Sequence, residues 1–199
     1  MNVLELASSR SSVRRFRRDP IPLSDIKYVL DVARRAPSGA NRQPWRFLVI
    51  RDDEVKGAIR EACERVEREF HRRAEPSLKK WLEAKGITWE KPFLTEAPFL
   101  ILVFGKAGEP YWIESNWLAT GFMLLAIQEL GYSTLTYTPS KTEWANELLE
   151  IPGDYRLQAI LPIGKPAEPT RSQDRLPLKE VAYLNKWGEK LPAKNSSED

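Results

Sequence analysis

The stretch Ala36-Pro37-Ser38-Gly39-Ala40-Asn41-Arg42-Gln43-Pro44-Trp45-Arg46-Phe47 joins two apolar segments with different patterns. Before it, Ser24 to Arg35 has the spacing of an amphipathic helix, and after it Phe47 to Ile50 has the composition of a strand. The stretch carries uncharged side chains that can form hydrogen bonds: Ser38, Asn41 and Gln43. Such a loop can hold a polar organic ligand against rigid elements. Taken alone, it is equally compatible with an ordinary helix-to-strand connection.

Helical and strand-like patterns alternate along the rest of the chain. Pro98 to Phe104 is continuously apolar, as in a strand covered on both faces, and Leu157 to Ile163 is a second apolar strand. Tyr111 to Leu130 carries apolar residues nearly all round and predicts a buried, central helix. We therefore expect an α+β fold with one central sheet flanked by helices. A long charged helix from Asp52 or Asp53 to Arg73 and a last strand near 179–184 complete the predicted elements.

The chain length of 199 residues suits one domain, which we place at 1–187. The interrupted helical segment 75–91 carries aromatic residues among charges, which predicts a lid or a subunit contact. We assign the lid to residues 66–95. Residues 188–199 are mostly polar and predict a flexible tail.

The charge balance and the scarcity of cysteine and histidine exclude several classes of function. With 31 basic and 28 acidic residues, the net charge of +3 is too even for a generic nucleic-acid-binding protein. Cys63 and His71 are the only residues of their kinds, so an intrachain disulfide is excluded and no metal site is predicted. His71 lies in a charged run and is expected on a solvated helix face. Without a signal-peptide core or a membrane-length apolar run, we expect a cytoplasmic protein with no membrane partner.

Besides the opening loop, three further polar groups are candidates for a site. The segment Arg10 to Arg14 offers two guanidinium groups with serine hydroxyls between them, which suits a phosphate dianion. The same segment is compatible with an exposed basic arm or a nucleic-acid contact. Thr136-Tyr137-Thr138 stands at a predicted strand end, where backbone N–H groups can face a ligand or simply terminate the strand. Arg175 lies in an irregular segment and alone would be a surface arginine.

The order and spacing of these groups resemble the nitroreductase superfamily of FMN-dependent oxidoreductases, over about Leu4 to Val181. Arg10 to Phe16 is similar to the family's R-x-S-x-R flavin motif, and Ala36 to Phe47 to its A-P-S-x-x-N-x-Q-P-W-x-F loop. Leu161 to Pro166 resembles the late P-x-G-x-P strand end. Arg175 stands where the family places a phosphate-binding arginine.

The resemblance implies an intertwined homodimer with a mixed central sheet and FMN at the subunit interface. The arginines would neutralise the phosphate, and the opening loop would position the ribityl chain and the ring. The Thr138 hydroxyl would contact flavin N5 as the catalytic residue and favour one-electron steps. The implied cofactor-binding residues are Arg10, Ser11, Ser12, Arg14, Pro37, Ser38, Gly39, Asn41, Gln43, Thr136, Tyr137, Thr138 and Arg175.

Within the superfamily the chain resembles the iodotyrosine-deiodinase branch. Thr136 to Pro139 is similar to that branch's T-x-T-P segment, and Trp89 to Pro98 to the end of its substrate lid. The branch's carboxylate-holding lysine falls at Lys91, while an ungapped alignment places its glutamate at Val66 and its tyrosine at Phe70. Glu67 is one residue away from the glutamate position. The implied substrate-binding residues are Lys91, Glu67, Phe70 and Trp89.

We therefore expect an FMN-dependent oxidoreductase that reduces a small aromatic acceptor with electrons from NAD(P)H or another donor. The acceptor is a nitroaromatic, a quinone or a halogenated aromatic. Reductive dehalogenation of a halotyrosine and oxygen-dependent cleavage of the flavin are alternatives within flavin chemistry. The departures at Val66 and Phe70 leave the halotyrosine assignment open. A nucleic-acid-binding module that uses Arg10 to Arg18 is the alternative from another class.

Overall fold

The computed structural model describes residues 2–170 and 173–192 of the chain. Its sheet has three antiparallel strands in the order β1 (Trp45–Ile50), β2 (Phe99–Lys106) and β3 (Tyr155–Ile163). The apolar runs in the sequence therefore predicted all three strands, and the α+β class is confirmed. Within the described residues, parallel pairing is limited to a single bridge between Ser12 and Thr134.

Helices cover both faces of the sheet. In chain order they are α1 (Val3–Ser9), α2 (Leu23–Ala33), α3 (Asp53–Arg73), α4 (Pro76–Ala84), α5 (Phe93–Glu96), α6 (Trp112–Glu129), α7 (Trp144–Leu148) and α8 (Leu178–Val181). The predicted Asp52 cap of α3 is present, since its carboxylate accepts a hydrogen bond from the Val55 N–H at 2.9 Å. Helix α2 begins one residue before the predicted Ser24 cap, with Pro22 at the cap position.

Strand β2 is the centre of the molecule because its two faces belong to two different cores. Leu100, Leu102 and Phe104 pack in one core, and Phe99, Ile101 and Val103 pack in the other. Helices α3, α5 and α7 complete the first core, and α2 and α6 complete the second. This division explains the continuous apolar sequence, since both alternating sets of side chains are withdrawn from water.

Helix α6 buries only part of its apolar surface within one chain. Met123, Ala126 and Ile127 pack in the second core. On other sides the helix exposes four large apolar residues, by 37–46% of their surface: Ile113, Trp117, Leu118 and Phe122. The predicted burial of this helix is therefore only partly accounted for by a single chain.

Two predicted strands near the site take other forms. Residues 133–138 are extended but pair only through single bridges, at Ser133, Thr134 and Tyr137. The prediction of a strand at 179–184 is wrong, because Leu178–Val181 forms helix α8. Pro177 precedes that helix, and its carbonyl accepts a hydrogen bond from the Glu180 N–H at 2.9 Å, so the backbone turns instead of joining a ladder.

The segment predicted as a lid contains α4 together with the end of α3 and the start of α5. The predicted tail lies partly outside the described residues, which end at Pro192 in this region. Within residues 2–170 and 173–192, none of the helices combines the length and apolar character needed to cross a bilayer.

Candidate active site

A cleft of about 450 Å³ lies between the amino-terminal segment, α3, the predicted lid and residues 135–138. Its walls combine both charges with aromatic and hydroxyl groups. The lining residues on which the site argument rests are Arg14, Glu67, Phe70, His71, Lys91, Phe93, Thr136, Tyr137 and Thr138. Residues from four separate stretches of sequence therefore meet around one cavity, which is typical of a ligand site.

The amino-terminal segment is fixed in an extended conformation beside the cleft. The Val13 N–H donates to the Thr134 carbonyl at 3.1 Å, and the Phe16 N–H donates to Oε2 of Glu96 at 3.1 Å. A second cleft of about 210 Å³ is lined by Ser11, Ser12, Arg14 and Arg15 together with residues 168–170. The two clefts share Arg14 and Arg15, so they adjoin.

The arginines of this segment differ in their partners. Arg15 pairs with Glu96 at 3.2 Å and Arg17 with Asp19 at 3.1 Å. Within the described part of the chain, neither Arg10 nor Arg14 forms an ion pair, and Arg14 is exposed at the junction of the two clefts. An anion that entered this junction would meet a guanidinium not already neutralised by a carboxylate.

Residues 136–138 form the wall of the cleft next to the sheet. Tyr137 is bridged to Ile160 of β3 by two backbone hydrogen bonds of 3.0 and 2.8 Å. This pairing fixes the flanking Thr136 and Thr138 at the cleft, where Thr138 is exposed. The Tyr137 ring packs edge-on against Phe93, with 5.3 Å between the ring centroids.

The Tyr137 side chain directs its hydroxyl behind the cleft wall, towards Cys63 and Glu67. Its Oη atom is buried and has no hydrogen-bond partner among the described residues. Burial, reinforced by Cys63 and Glu67, raises the pKa of Tyr137 well above its ordinary value, so the phenol stays protonated. Burial likewise raises the pKa of the Cys63 thiol to about 12, so Cys63 does not supply a thiolate nucleophile at neutral pH.

Lys91 and Glu67 form a buried ion pair in the cleft wall. Glu67 is 8% exposed and Lys91 5% exposed, and the Glu67 carboxylate also accepts a hydrogen bond from the Ser140 N–H at 2.8 Å. The Lys91 ammonium donates to the Thr88 carbonyl and lies 5.8 Å from the centre of the Tyr137 ring. Burial lowers the pKa of Lys91, and the Glu67 charge acts against that shift. Glu67 thus faces the cleft although the alignment placed Val66 at its position.

His71 and Phe70 line the same cleft one turn beyond Glu67. The expectation that His71 is solvated is wrong. Its imidazole is partly buried, and burial followed by the Lys91 charge lowers its pKa. Its Nε2 atom is buried without a hydrogen-bond partner among the described residues. The charged run around His71 hid this position, because the sequence does not show which side chains of α3 pack against the predicted lid.

Trp89 does not line the cleft, although it was grouped with the substrate residues. Its ring lies under the guanidinium of Arg68, with 4.3 Å between that group and the ring centre. The neighbouring Lys91 N–H donates to Oε1 of Glu64 at 2.8 Å. Both contacts fasten the end of the predicted lid to α3, so the structure places Trp89 in the support of the cleft wall.

In the folded chain, the opening loop (residues 36–47) lies away from both clefts and packs against the start of α6. The Gly39 N–H points to Oγ of Ser115 at 3.4 Å, and Oγ of Ser38 accepts from the Gln43 N–H at 3.0 Å. Three non-glycine residues of the loop have a positive φ: Ala40 at 46°, Asn41 at 55° and Gln43 at 49°. Such conformations persist where the surroundings dictate them, and they cluster at functional sites. Pro37 is exposed, and none of these loop residues lines the two clefts.

Arg175 is also apart from both clefts. It is exposed, and its guanidinium donates to the carbonyls of Gln173 and Asp174 at 2.9 and 3.1 Å. One chain therefore brings together the predicted groups from the amino-terminal segment, α3, the predicted lid and residues 136–138. It leaves Arg10, Trp89, the opening loop and Arg175 outside that assembly.

A cationic segment that leads into an aromatic-lined cleft is typical of an enzyme that binds a phosphate-bearing aromatic cofactor. Comparison with known proteins defines that class further. Residues 7–165 match the model of the Nitroreductase family, so the chain belongs to that family and is an FMN-dependent oxidoreductase.

Several similar proteins are named iodotyrosine deiodinase, which is the branch that the sequence motifs resemble. The iodotyrosine deiodinase of Thermotoga neapolitana is 48% identical over 165 residues, which cover 83% of this chain and 89% of that protein. The iodotyrosine deiodinase of Haliscomenobacter hydrossis is 39% identical over 170 residues, with 80% and 77% covered. A solved structure of oxidised iodotyrosine deiodinase bound to FMN and 3-iodo-L-tyrosine has a TM-score of 0.84 and 45% identity, and 88% of this chain and 96% of that chain are covered.

A BluB-like flavoprotein from Clostridium difficile has a TM-score of 0.80 at 23% identity, with 94% of this chain and 100% of that chain covered. At that identity the likeness shows the shared fold alone. The resemblance to the deiodinase branch is confirmed by the more similar relatives.

Proposed function

We propose that the protein reduces halogenated tyrosines, or closely related halogenated aromatic amino acids, with electrons from its FMN. The observation that carries this proposal is the buried Lys91–Glu67 pair, which lines the same cleft as Thr136 to Thr138. An ammonium and a carboxylate side by side are complementary to the carboxylate and ammonium of an amino acid. A nitroaromatic or a quinone has no group that needs such a pair.

The cleft fits FMN in two respects. Arg14 supplies positive charge for a phosphate at the adjoining small cleft, with Ser11 and Ser12 as hydrogen-bonding groups. Arg10 lines neither cleft but directly precedes Ser11 in the chain, and it is proposed to add to that charge. Thr136 and the exposed Thr138 line the cleft wall next to the sheet, where polar atoms of a flavin ring would find donors. In this proposal the basic segment Arg10 to Arg18 binds the phosphate of FMN and not a nucleic acid.

The chain's own residues bind and orient the substrate in this proposal. Lys91 holds the substrate carboxylate, Glu67 faces the ammonium group, and Phe70 and Phe93 provide aromatic surface. The Thr138 hydroxyl donates a hydrogen bond at the reacting edge of the cofactor and is the catalytic residue. Bound FMN, once reduced, supplies two electrons. With one proton, they replace the carbon–halogen bond by a carbon–hydrogen bond and release halide.

The relatives support an amino-acid substrate, since several share the name iodotyrosine deiodinase and one is solved with 3-iodo-L-tyrosine. The electron donor is a separate part of the proposal. NAD(P)H is the expected reductant, with another two-electron donor as its alternative.

A homodimer is proposed to complete the site. The exposed apolar side of α6 is a surface that association would bury. The strained opening loop stands against the start of α6 and lines neither cleft of its own chain. In the dimer Pro37, Ser38, Gly39, Asn41 and Gln43 would contact the FMN held by the partner subunit, and Arg175 would join the phosphate contacts.

The deciding experiment uses the purified holoenzyme. The oxidised form is titrated with 3-iodotyrosine, 3-chlorotyrosine and tyrosine while flavin fluorescence is followed. The reduced form is then mixed anaerobically with the halotyrosines, a nitroaromatic and a quinone. We expect halotyrosines to quench the flavin fluorescence at micromolar concentration and to reoxidise the reduced flavin with stoichiometric halide release.

Rapid reoxidation by the nitroaromatic or quinone without halotyrosine turnover would instead support the broader reductase activity. A colourless protein that takes up no FMN would contradict both.

A further inference from the structure

Glu96, the last residue of α5, makes two contacts with the amino-terminal segment, and the proposed function gives it no role. Its Oε2 atom accepts a hydrogen bond from the Phe16 N–H at 3.1 Å, and its Oε1 atom lies 3.2 Å from Nε of Arg15. The side chain is only 20% exposed. Glu96 lines neither of the two clefts, so it acts on a ligand there only through the segment that it holds.

The backbone contact takes the place of a neighbouring strand. On one side of the segment, the Arg17 N–H donates to the Lys165 carbonyl at 2.9 Å. The Phe16 N–H points to the other side, since successive N–H groups alternate along an extended chain. Phe16 is 5% exposed, so removal of Glu96 would leave a donor in a buried residue without its acceptor. Such a donor costs about 1–3 kcal/mol, which favours a shift of the segment.

The ion pair decides which of two arginines is available to an anion. Arg14 and Arg15 both line the two clefts, so position alone does not distinguish them. Glu96 neutralises Arg15, whereas Arg14 forms no ion pair within residues 2–170 and 173–192. A guanidinium that is already held by a carboxylate has fewer donors left for a phosphate. The arrangement therefore leaves Arg14 as the phosphate ligand.

We infer that Glu96 is a positioning residue for the FMN phosphate, although it is itself an anion. By holding the Phe16 N–H and the Arg15 guanidinium, it fixes the segment with Arg14 at the small cleft. A carboxylate that acted through its charge alone would repel the phosphate, so its removal would strengthen FMN binding. Positioning predicts the opposite sign. The inference rests on the proposed placement of the phosphate beside Arg14 and is independent of the proposed substrate.

The test is a competition between FMN and riboflavin, which lacks the phosphate. The holoenzyme is equilibrated with mixtures of the two flavins, and the bound flavins are separated by desalting and quantified by chromatography. The ratio of the two dissociation constants isolates the phosphate contact, because a general loss of structure weakens both flavins alike. Glu96→Ala should reduce the preference for FMN by about tenfold. Glu96→Gln keeps an acceptor for the Phe16 N–H and should hold the preference within about threefold of wild type.

Asp19→Ala is the matched control. Asp19 also pairs with an arginine of the segment, since its carboxylate lies 3.1 Å from Arg17, and its removal changes the net charge equally. In the described part of the chain it accepts no backbone N–H, so the preference should stay within about twofold of wild type. An unchanged or increased preference for FMN in Glu96→Ala would overturn the inference. An equal loss in Asp19→Ala would do so too.

Arg14→Ala in the same assay tests the placement of the phosphate. If it leaves the preference for FMN unchanged, the proposed phosphate site fails and the role of Glu96 fails with it. If Arg14→Ala lowers the preference and Glu96→Ala does not, the phosphate site stands and the role of Glu96 is wrong.

A spectroscopic readout follows the phosphate directly. The ³¹P resonance of bound FMN is recorded for each variant at saturating FMN. In Glu96→Ala it should move from its wild-type position towards that of free FMN, whereas in Asp19→Ala it should not move. A wild-type resonance in Glu96→Ala would show that the surroundings of the phosphate do not depend on Glu96, and the inference would be wrong.

Discussion

The Nζ atom of Lys91 lies 3.6 Å from Oε2 of Glu67, and the two side chains are only 6% and 10% exposed. The residues are far apart in sequence, and the predicted lid brings them together. Each charge is held by the protein before a ligand arrives: Glu67 by the Ser140 N–H and Lys91 by the Thr88 carbonyl. The pair is therefore positioned in advance, and a zwitterionic ligand need not organise it.

Lys91→Met should weaken binding of ligands that carry a carboxylate. We expect the dissociation constant of 3-iodotyrosine to rise by about 10- to 100-fold, because a hydrogen bond to a charged group contributes about 1.5–3 kcal/mol. Binding of 3-iodotyramine, which lacks the carboxylate, should change little. Lys79→Met is the control, since Lys79 is exposed in α4 and bonds to the Arg72 carbonyl. Equal losses for both ligands would show that Lys91 does not contact the carboxylate.

Arg14→Ala should release FMN from the protein. Arg14 lies where the two clefts adjoin, so its removal takes away a charge-assisted contact to the phosphate, and FMN affinity should fall about tenfold or more. Flavin content after exhaustive dialysis, compared with wild type, measures the effect. Arg17→Ala is the matched control in the same segment, because Arg17 already pairs with Asp19. Full retention of FMN by the Arg14 variant would remove Arg14 from the phosphate site.

The sequence predicted the elements of the fold because their signals are local. The apolar runs of β2 and β3 and the Asp52 cap of α3 each lie within a few neighbouring residues. The alignment of motifs predicted Lys91 and Thr138 at the cleft. Helix α6, which carries apolar residues nearly all round, was expected to be buried, yet Trp117 and Phe122 are exposed in the single chain. Its pattern reflects a surface that one chain cannot cover.

What the sequence could not predict depends on contacts between distant elements. His71 stands among charges, and only the packing of the predicted lid on α3 takes its Nε2 out of water. Glu67 reaches the cleft where the ungapped alignment placed Val66, since helix phase and not position number decides which side chain faces inward. Pro177 and the short helix after it turned a β-prone stretch away from the sheet. The opening loop matched its family motif but lies outside the cleft of its own chain.

Thr138→Ala should separate dehalogenation from other reductions. The hydroxyl is predicted to donate a hydrogen bond to the cofactor during electron transfer, and loss of one such donor costs about 10²- to 10³-fold at comparable sites. We expect halotyrosine turnover by the reduced holoenzyme to fall by about 10²-fold, with nitroaromatic reduction much less affected. Thr138→Ser retains the hydroxyl and should retain most of the activity. Parallel losses for both acceptors, or inactivity of the serine variant, would contradict this role. Anaerobic stopped-flow absorbance of the flavin distinguishes these outcomes.

Gly39→Ala should disturb the opening loop without touching the cleft of its own chain. A Cβ at Gly39 would lie 2.8 Å from the Pro110 carbonyl oxygen and 2.8 Å from Cδ2 of Tyr111. The tyrosine ring is exposed and can move, but the backbone carbonyl cannot, so the loop must shift away from α6. Such overpacking destabilises proteins by about 1–3 kcal/mol. Gly57→Ala is the matched control, since a Cβ there meets nothing within 4 Å in α3, and it should stabilise the protein by about 0.5–1 kcal/mol. Chemical denaturation at saturating FMN measures the change in the free energy of unfolding of both variants.

If the loop contacts the partner subunit's FMN, the Gly39 variant alone should also lose flavin on dialysis. A Gly39 variant as stable and as flavin-rich as wild type would show that neither the loop's fit against α6 nor its contribution to FMN binding depends on this close approach.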